Sequence, residues 1–464
     1  ILLLYAMGRK RNSFCYISLL GILVLLIYYY LLRTSYSQFN NLDNQIVDSK
    51  QLQYNEEFAE TIIGFKGSKV CNGVTNKPNI YRETFQFQNV TDRNVVVFSA
   101  YHETRLDAGG PAIRIIAAGL QREFRPEGDL YCTLWYHSTN ESVSVGPAEY
   151  HNVYRSSAHP DMWCTHFILC PLPTDVQEAP YAVSVTHKPC SPPSNVLYVT
   201  PSALHKKGKH AVCYPVLHNK FNNWTTLVEF FELQRLLGAE EITIYNFSVS
   251  PKVSEVLKYF QSLGWLKVIP WPLPKILSNY FQQRTAINDC IYRHMYRYDY
   301  VSVLDLDEVF VPRMSGNWRG LVETIGKPDH GVYLFQHYYF RRNDSHQQQP
   351  GTPDNTDAKY SLISLSSFYR TYIVVPPGKV RCKSMYKTDS VIKADIHFPY
   401  QLIPGAKEYL VDPREAALHH YRSTPMESFT KHPEKYKFLE DRRVEIYSKE
   451  LLDRYKKHLE NLGG

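Results

Sequence analysis

Three acidic residues, Asp305, Asp307 and Glu308, stand in the stretch YVSVLDLDEVFVPR, directly behind a run of strand-forming apolar residues. If that run is a strand, alternation sets Val301, Val303, Asp305 and Asp307 on one side and Leu304 and Leu306 on the other. Two carboxylates so close repel each other unless a cation or proton joins them, and the C-terminal end of a strand in an open α/β sheet is where ligands bind. The chemistry this spacing favours is divalent metal binding. The competing explanation is structural, with Asp307 capping a short turn and Asp305 an ordinary edge charge.

The elements that must position these residues follow from periodicity. AVCYPVL (211–217), EITIYNF (241–247) and WLKVIPW (265–271) read as strands. WTTLVEFFELQRLLG (224–238) reads as a helix, with Leu227, Phe230, Leu233 and Leu237 on one stripe and Gly238 at its end. PKVSEVLKYFQSLG (251–264) is a second helix, and SNYFQQRTAINDCIYRHMYRYD (278–299) a long third one that leads into the acidic strand. Repeated βαβ units predict a mostly parallel sheet flanked by helices, with Asp305 and Asp307 ending its fourth strand.

The rest of the chain is organised differently. Residues 14–32, FCYISLLGILVLLIYYYLL, are uncharged and apolar, and as a helix they match a bilayer core of roughly 30 Å. Arg9, Lys10 and Arg11 precede them, so the expectation is a cytosolic N-terminus (1–13), a single transmembrane anchor (14–32) and everything later on the far side, a type II arrangement. A cleaved signal peptide is the rival reading. Residues 33–70 are polar and read as a stem; 71–205 carry short strand-like runs such as NVVVFSA, LYCTLWYH and THFILC and read as a β-rich luminal module; 206–464 form the α/β domain. Met7 is a plausible start, with residues 1–6 outside the fold.

Composition narrows the classes. With 464 residues, a formal charge of +7 spread along the chain, 36 Tyr and 22 Gly, the protein reads as globular and offers no nucleic-acid footprint. Besides Cys15 there are eight cysteines, an even number without a C-x-x-C pair, which predicts disulfides over a zinc site. Glycosylation sequons begin at Asn89, Asn140, Asn223, Asn246 and Asn343, all beyond the apolar run. His102, His137 and His166 are scattered and read as ordinary histidines.

The segments LLGAEEITIYNFS, YFQSLGWLKVIPW, QRTAINDCIYRH, YVSVLDLDEVFVP and ALHHYR, in that order over residues 210–425, resemble glycosyltransferase family 92, Golgi enzymes with a GT-A-type fold. The resemblance implies that Asp305 and Asp307 hold Mn²⁺ on the diphosphate of a UDP-sugar. It implies an inverting transfer of galactose from UDP-galactose, β1,4, to a galactose or fucose of an N-glycan on a glycoprotein. Other GT-A enzymes often complete the metal shell with a C-terminal histidine, for which His420 is preferred over His397, with His419 a further candidate.

Asp395, two residues before His397, is the candidate general base. Arg284 and Asn288 lie one turn apart on the helix before the motif and are candidates to face the nucleotide; Asp289 is either a binding residue or half of a solvated pair with Arg293. Lys379, Arg381 and Lys383 alternate along a supposed strand and either meet diphosphate oxygens or form a basic edge. Residues 431–460 read as a charged helical tail without a site. Two rivals stay open. D-x-D-x-V also fits an aspartyl-phosphate phosphatase, and the β-rich module with its many tyrosines fits a non-catalytic glycan-binding protein.

Overall fold

Between residues 208 and 303 the chain alternates strand and helix as its periodicity predicts. Strand β1 (Gly208–Leu217) is followed by α1 (Trp224–Leu237), β2 (Glu241–Asn246), α2 (Pro251–Ser262), β3 (Leu266–Pro270), α3 (Gln283–His294) and β4 (Tyr298–Val303). Local signals set the boundaries. The Asn223 side chain accepts from the Thr226 amide and caps α1, and Ser250 does the same for α2 through Val253. Helix α1 closes at Gly238, whose φ of 122° strains any residue with a Cβ. The third helix is shorter than 278–299 predicts, because Phe281 and Gln282 take left-handed φ values of 51° and 54° and interrupt the turn before it.

This computed structural model describes residues 69–463, apart from 72–76, 81–83, 124–129, 139–141, 155–158, 160, 173–177, 203–205, 207, 275–278, 343–361, 373, 375–378, 380 and 423–436. The expected anchor at 14–32, most of the stem, Met7, Cys15 and the sequons at Asn140 and Asn343 lie outside the described residues. Among the described residues no helix is long and apolar enough to cross a membrane.

After β4 come β5 (Glu308–Pro312), α4 (Trp318–Ile325), β6 (His330–Phe335), β7 (His337–Tyr339), β8 (Lys383–Lys387), β9 (Val391–Ala394), β10 (Pro399–Leu402), β11 (Lys407–Leu410), β12 (Ala416–His420) and α5 (Ser448–Asn461). The main sheet has seven strands in the order β3-β2-β1-β4-β8-β6-β11. The first four are parallel, and β8 runs antiparallel to both of its neighbours. Strand order turns back between β1 and β4, and the C-terminal ends of strands at such a point are where open α/β sheets bind ligands. A second, three-stranded sheet, β5-β12-β7, stands beside that edge.

The segment before β1 is β-rich, as expected: a ten-stranded sheet whose longest strands are Val95–Glu103, Ala112–Leu120 and Trp163–Pro171. Ala112–Leu120 escapes the period-two pattern because all nine of its residues are buried, so it shows no alternation to read. One face of this sheet encloses a core of its own, with Val97, Ile115, Leu134 and Ile168, and the other face shares its core with the α/β part. Phe98, Tyr101, Ile116 and Phe167 pack in one cluster with Cys213, Ile287, Ile291 and Val303 from the α/β part, and residues 67–464 form one compact unit. Disulfides Cys71–Cys190 and Cys132–Cys170 staple the β-rich sheet, and Cys213–Cys290 joins β1 to α3; Cys164 and Cys382 are buried thiols.

The C-terminal tail departs from expectation. Residues 438–440 form a short strand, 443–447 a 3-10 turn, and only then does α5 begin. Its Leu451, Tyr455 and Leu459 enter the main core at four-residue spacing, and Glu232 of α1 receives both His458 and Arg454.

Candidate active site

The acidic stretch is a strand only as far as Val303. Residues 304–307 form the bend between β4 and β5, so Asp305 and Asp307 are brought together by a turn, and the strand alternation that would have aligned them is absent. The turn is pinned from several directions. The Leu304 amide donates to the Cys213 carbonyl at 3.2 Å, the Asp305 amide to Glu308 Oε2 at 2.9 Å, and the Tyr421 amide to the Asp307 carbonyl at 2.8 Å. Gln234 of α1 donates to the Glu308 carbonyl at 2.9 Å.

Register then gathers the remaining groups. Glu308 and His420 are direct cross-strand partners in the β5–β12 pair, and β7 runs along the other side of β12 with His337 at its start. Lys383 begins β8, one residue beyond the Val303–Ser384 pair. The Lys383 ammonium, almost wholly buried, lies 2.7 Å from Asp305 and 3.2 Å from Glu308. His420 has Nε2 at 3.5 Å from Asp307 and Nδ1 at 3.3 Å from Glu308 Oε1 and 3.2 Å from His337 Nδ1. Asp305 and Asp307 are partly exposed, while Glu308 and His337 are sealed beneath them.

Charges in this cluster bias one another. Burial works against the His420 imidazolium, but Asp307, Glu308 and Asp305 together outweigh it and raise its pKa. Burial also disfavours the Lys383 ammonium, and Asp305 and Glu308 reverse the effect and raise it. His337 goes the other way, held well below the usual imidazole range by burial and by His420.

A divalent cation fits this donor set. Two donors at right angles around a cation with bonds of about 2.1–2.3 Å stand about 3 Å apart, close to the spacing of His420 Nε2 and the Asp307 carboxylate. Carboxylate and imidazole donors together suit Mn²⁺. Glu308 Oε1 is moreover a buried carboxylate oxygen without a hydrogen bond, and Glu308, His337 and His420 converge closely enough to share an ion. Cys213, Cys290 and His294 converge as well, but there the disulfide consumes both thiolates.

The sequence model of glycosyltransferase family 92 matches residues 208–460, from β1 into α5. The chain belongs to this family. The beta-1,4-galactosyltransferase galt-1 of Caenorhabditis elegans is 31% identical over 121 residues, covering 25% of this chain and 28% of that protein. A second C. elegans protein, glycosyltransferase family 92 protein C33H5.2, is 23% identical over 190 residues, covering 37% and 34%. The chain thus aligns with about a third or less of the curated relatives it matches. Among solved structures, S. aureus TarS 1-349 superposes with a TM-score of 0.23 at 12% identity, covering 39% of this chain and 47% of that one, too loosely to bear weight.

Within this family-92 chain the other candidate residues fall into two groups. Asp395, Arg284 and His397 lie near the cluster. Asp395 follows β9 in the hairpin turn before β10, so Asp395 and His397 are turn residues with no strand face in common. Arg284 Nε donates to Asp395 Oδ1 at 2.5 Å, and its guanidinium stacks 3.8 Å from the Tyr154 ring centre. His397 Nδ1 is 3.1 Å from the Cys382 carbonyl, and its own carbonyl accepts from Ser384. Beside Arg284 a small, shallow depression, half open to solvent, is lined by Tyr154, Met162, Trp163 and Gln283.

The second group is structural. Asn288 was a candidate to face the nucleotide, but its amide donates to the Arg284 and Ala394 carbonyls and its oxygen accepts from the Ala394 amide, which fastens α3 to β9. Asp289 is not a solvated pair with Arg293. The pair is buried, and Asp289 also accepts from the hydroxyls of Tyr101 and Tyr245. Lys379 is an ion pair with Glu408, and Arg381, exposed at a left-handed φ of 61°, reaches the hydroxyl of Tyr339 beside His420, so of the three basic residues Lys383 is the one that meets the carboxylates. His419 points to the other side of β12, against Phe340 and the Tyr421 hydroxyl. Glu308 and His337 carried no site assignment in the sequence; the adjacency of Glu308 to D-x-D was visible, and its register with His420 was not.

Proposed function

We propose that this chain is a metal-dependent glycosyltransferase that moves a sugar, galactose from UDP-galactose, onto a galactose or fucose of an N-glycan through an inverting β1,4 transfer. The observation that carries the reading is the meeting of Asp305, Asp307, His420 and Lys383 beyond the C-terminal end of β4 in a family-92 chain. The galactosyl donor and linkage are drawn from the name of the C. elegans relative, which matches a quarter of this chain.

In this reading Asp307, His420 and Asp305 hold Mn²⁺, which when bound supplies Lewis-acid stabilisation to the leaving diphosphate. Lys383 adds a fixed positive charge next to Asp305, where the developing negative charge of the diphosphate is to be met. Asp395 takes the proton of the acceptor hydroxyl as that oxygen bonds to the anomeric carbon and UDP departs with the bonding pair. Arg284 holds the Asp395 carboxylate in place, and the Tyr154–Trp163 cleft offers aromatic faces on which an acceptor sugar stacks. The same proposal makes it a Golgi membrane protein with residues 14–32 as a type II anchor and the catalytic part luminal, a reading supported by the uncharged apolar run and by Arg9, Lys10 and Arg11 before it.

The deciding experiment is a donor screen that reads UDP release from each UDP-sugar, with and without Mn²⁺, in the presence of N-glycan acceptors. Acceptor-dependent release from UDP-galactose alone is the expected result. Release from no UDP-sugar under any metal condition would remove the reading.

A further inference from the structure

Glu308 differs from its acidic neighbours in being sealed from solvent and held at almost every atom. Its carbonyl receives Gln234, and its Oε2 receives both the Asp305 amide and Lys383. A side chain fixed so firmly cannot swing out to meet a ligand. What it leaves open is Oε1, which lies 3.3 Å from His420 Nδ1 and 3.8 Å from His337 Nε2 and makes no hydrogen bond. The other nitrogen of the same ring, Nε2, is turned to Asp307.

We propose that Glu308 is a positioning residue, whose buried carboxylate takes the Nδ1 proton of His420 as a hydrogen bond and so presents the Nε2 lone pair beside Asp307. The inference rests on the metal-dependent reading above. An imidazole that ligates through one nitrogen is oriented by what its other nitrogen donates to, and a carboxylate in that role fixes the tautomer and makes the ring a better donor. The β5–β12 register supplies the alignment, since Glu308 and His420 are opposite one another. His337 Nδ1, 3.2 Å from His420 Nδ1, is the one competing acceptor among the contacts of that nitrogen, and it is the weaker because it carries no charge when neutral. An ion seated among Glu308, His337 and His420 themselves is the alternative arrangement, in which Glu308 is a ligand, and the test separates the two.

The test is Mn²⁺ binding to the purified full chain without substrate, read by electron paramagnetic resonance of free Mn²⁺, for the wild type, E308Q, H420Q and the double variant. The expected result is one Mn²⁺ per wild-type chain, binding about 10–100-fold weaker in E308Q, and a loss of under about twofold when E308Q is added to H420Q. Thermal melting confirms that each variant is folded. Should E308Q not fold, E308D keeps the charge beside Lys383 and withdraws it from His420, and the same weakening is expected. Wild-type affinity in a folded E308Q or E308D overturns the positioning role. So does a full second loss on top of H420Q, or a second Mn²⁺ that disappears with Glu308, which would make it a ligand. A wild type that binds no Mn²⁺ removes the metal reading itself, and that outcome is distinct because it appears before any variant is compared.

Discussion

Two buried carboxylates in this molecule, Asp289 and Glu308, have opposite degrees of satisfaction. Asp289 is closed on all sides: Arg293 straddles both oxygens at 2.9 Å, Tyr101 donates to Oδ1 at 2.6 Å, and Tyr245 donates to Oδ2. Glu308 has one oxygen saturated and the other facing two imidazoles without a hydrogen bond. Both are paired with a buried cation, so pairing alone does not distinguish a structural acid from one that serves a site. The open valence does, because an unfilled acceptor in a dry interior costs free energy that only a further partner relieves. The surroundings agree: Asp289 welds α3 to the β-rich sheet, whereas Glu308 lies under partly exposed carboxylates at a sheet edge.

The contrast breaks most visibly at the outer carboxylates. Asp307→Ala is expected to lower transfer by about a thousandfold while the melting temperature stays within a degree or two, because it removes a charge at an exposed turn and no core volume. Asp307→Asn should be nearly as damaging, and added Mn²⁺ should rescue neither. A large drop in melting temperature would instead make Asp307 a structural cap.

Asp289→Ala should do the reverse. It strands the Arg293 guanidinium in the core, and a stability loss of about 3–5 kcal/mol is expected in urea unfolding. Activity per folded molecule, measured on the fraction that survives, should remain near that of the wild type. Transfer abolished in a folded Asp289→Ala protein would move Asp289 back among the binding residues.

Acid sharpens the same contrast. Burial pushes the Asp289 carboxyl up, but Arg293 and the tyrosine hydroxyls more than offset it, so its pKa in the folded chain is lowered from the ordinary 3.8. The stabilisation is therefore present above that value and lost as pH falls through the lower folded value. Stability of the wild type should decline below about pH 4 more steeply than that of Asp289→Asn, as read by urea midpoints between pH 3 and 7. Equal slopes would show that this carboxyl does not drive acid unfolding.

The smallest effect belongs to the cleft. Tyr154→Ala removes the ring under Arg284 and one face for stacking, and should raise the acceptor KM by about three- to tenfold with the donor KM unchanged. A change confined to the donor would disconnect the cleft from the acceptor.

Elements with a repeating period were legible before any coordinates. Leu227, Phe230, Leu233 and Leu237 do line the buried side of α1, and Val253, Val256, Leu257 and Phe260 that of α2. Asp305 and Asp307 could be singled out because they stand two residues apart in one short stretch. Glu308 could not, since its partner His420 lies on another strand and register between distant segments leaves no local trace. Asp289 failed for the same reason: the i,i+4 pair with Arg293 was visible, but Tyr101 and Tyr245 arrive from two different sheets. Lys383 alternates with Lys379 and Arg381 in the sequence, and the loss of strand geometry before it is what separates it from them.

The Cys213–Cys290 bond joins residues 77 apart and so closes a long loop, which restricts the unfolded chain by about 4–5 kcal/mol. Cys213 is on the strand whose carbonyl steadies Leu304, and Cys290 is next to Asp289 on α3. Material matured in an oxidising compartment and material taken from a reducing cytosol are therefore two different reagents with one sequence. Specific activity should scatter between batches in step with their free-thiol content, so a thiol count belongs beside every rate measured on this protein.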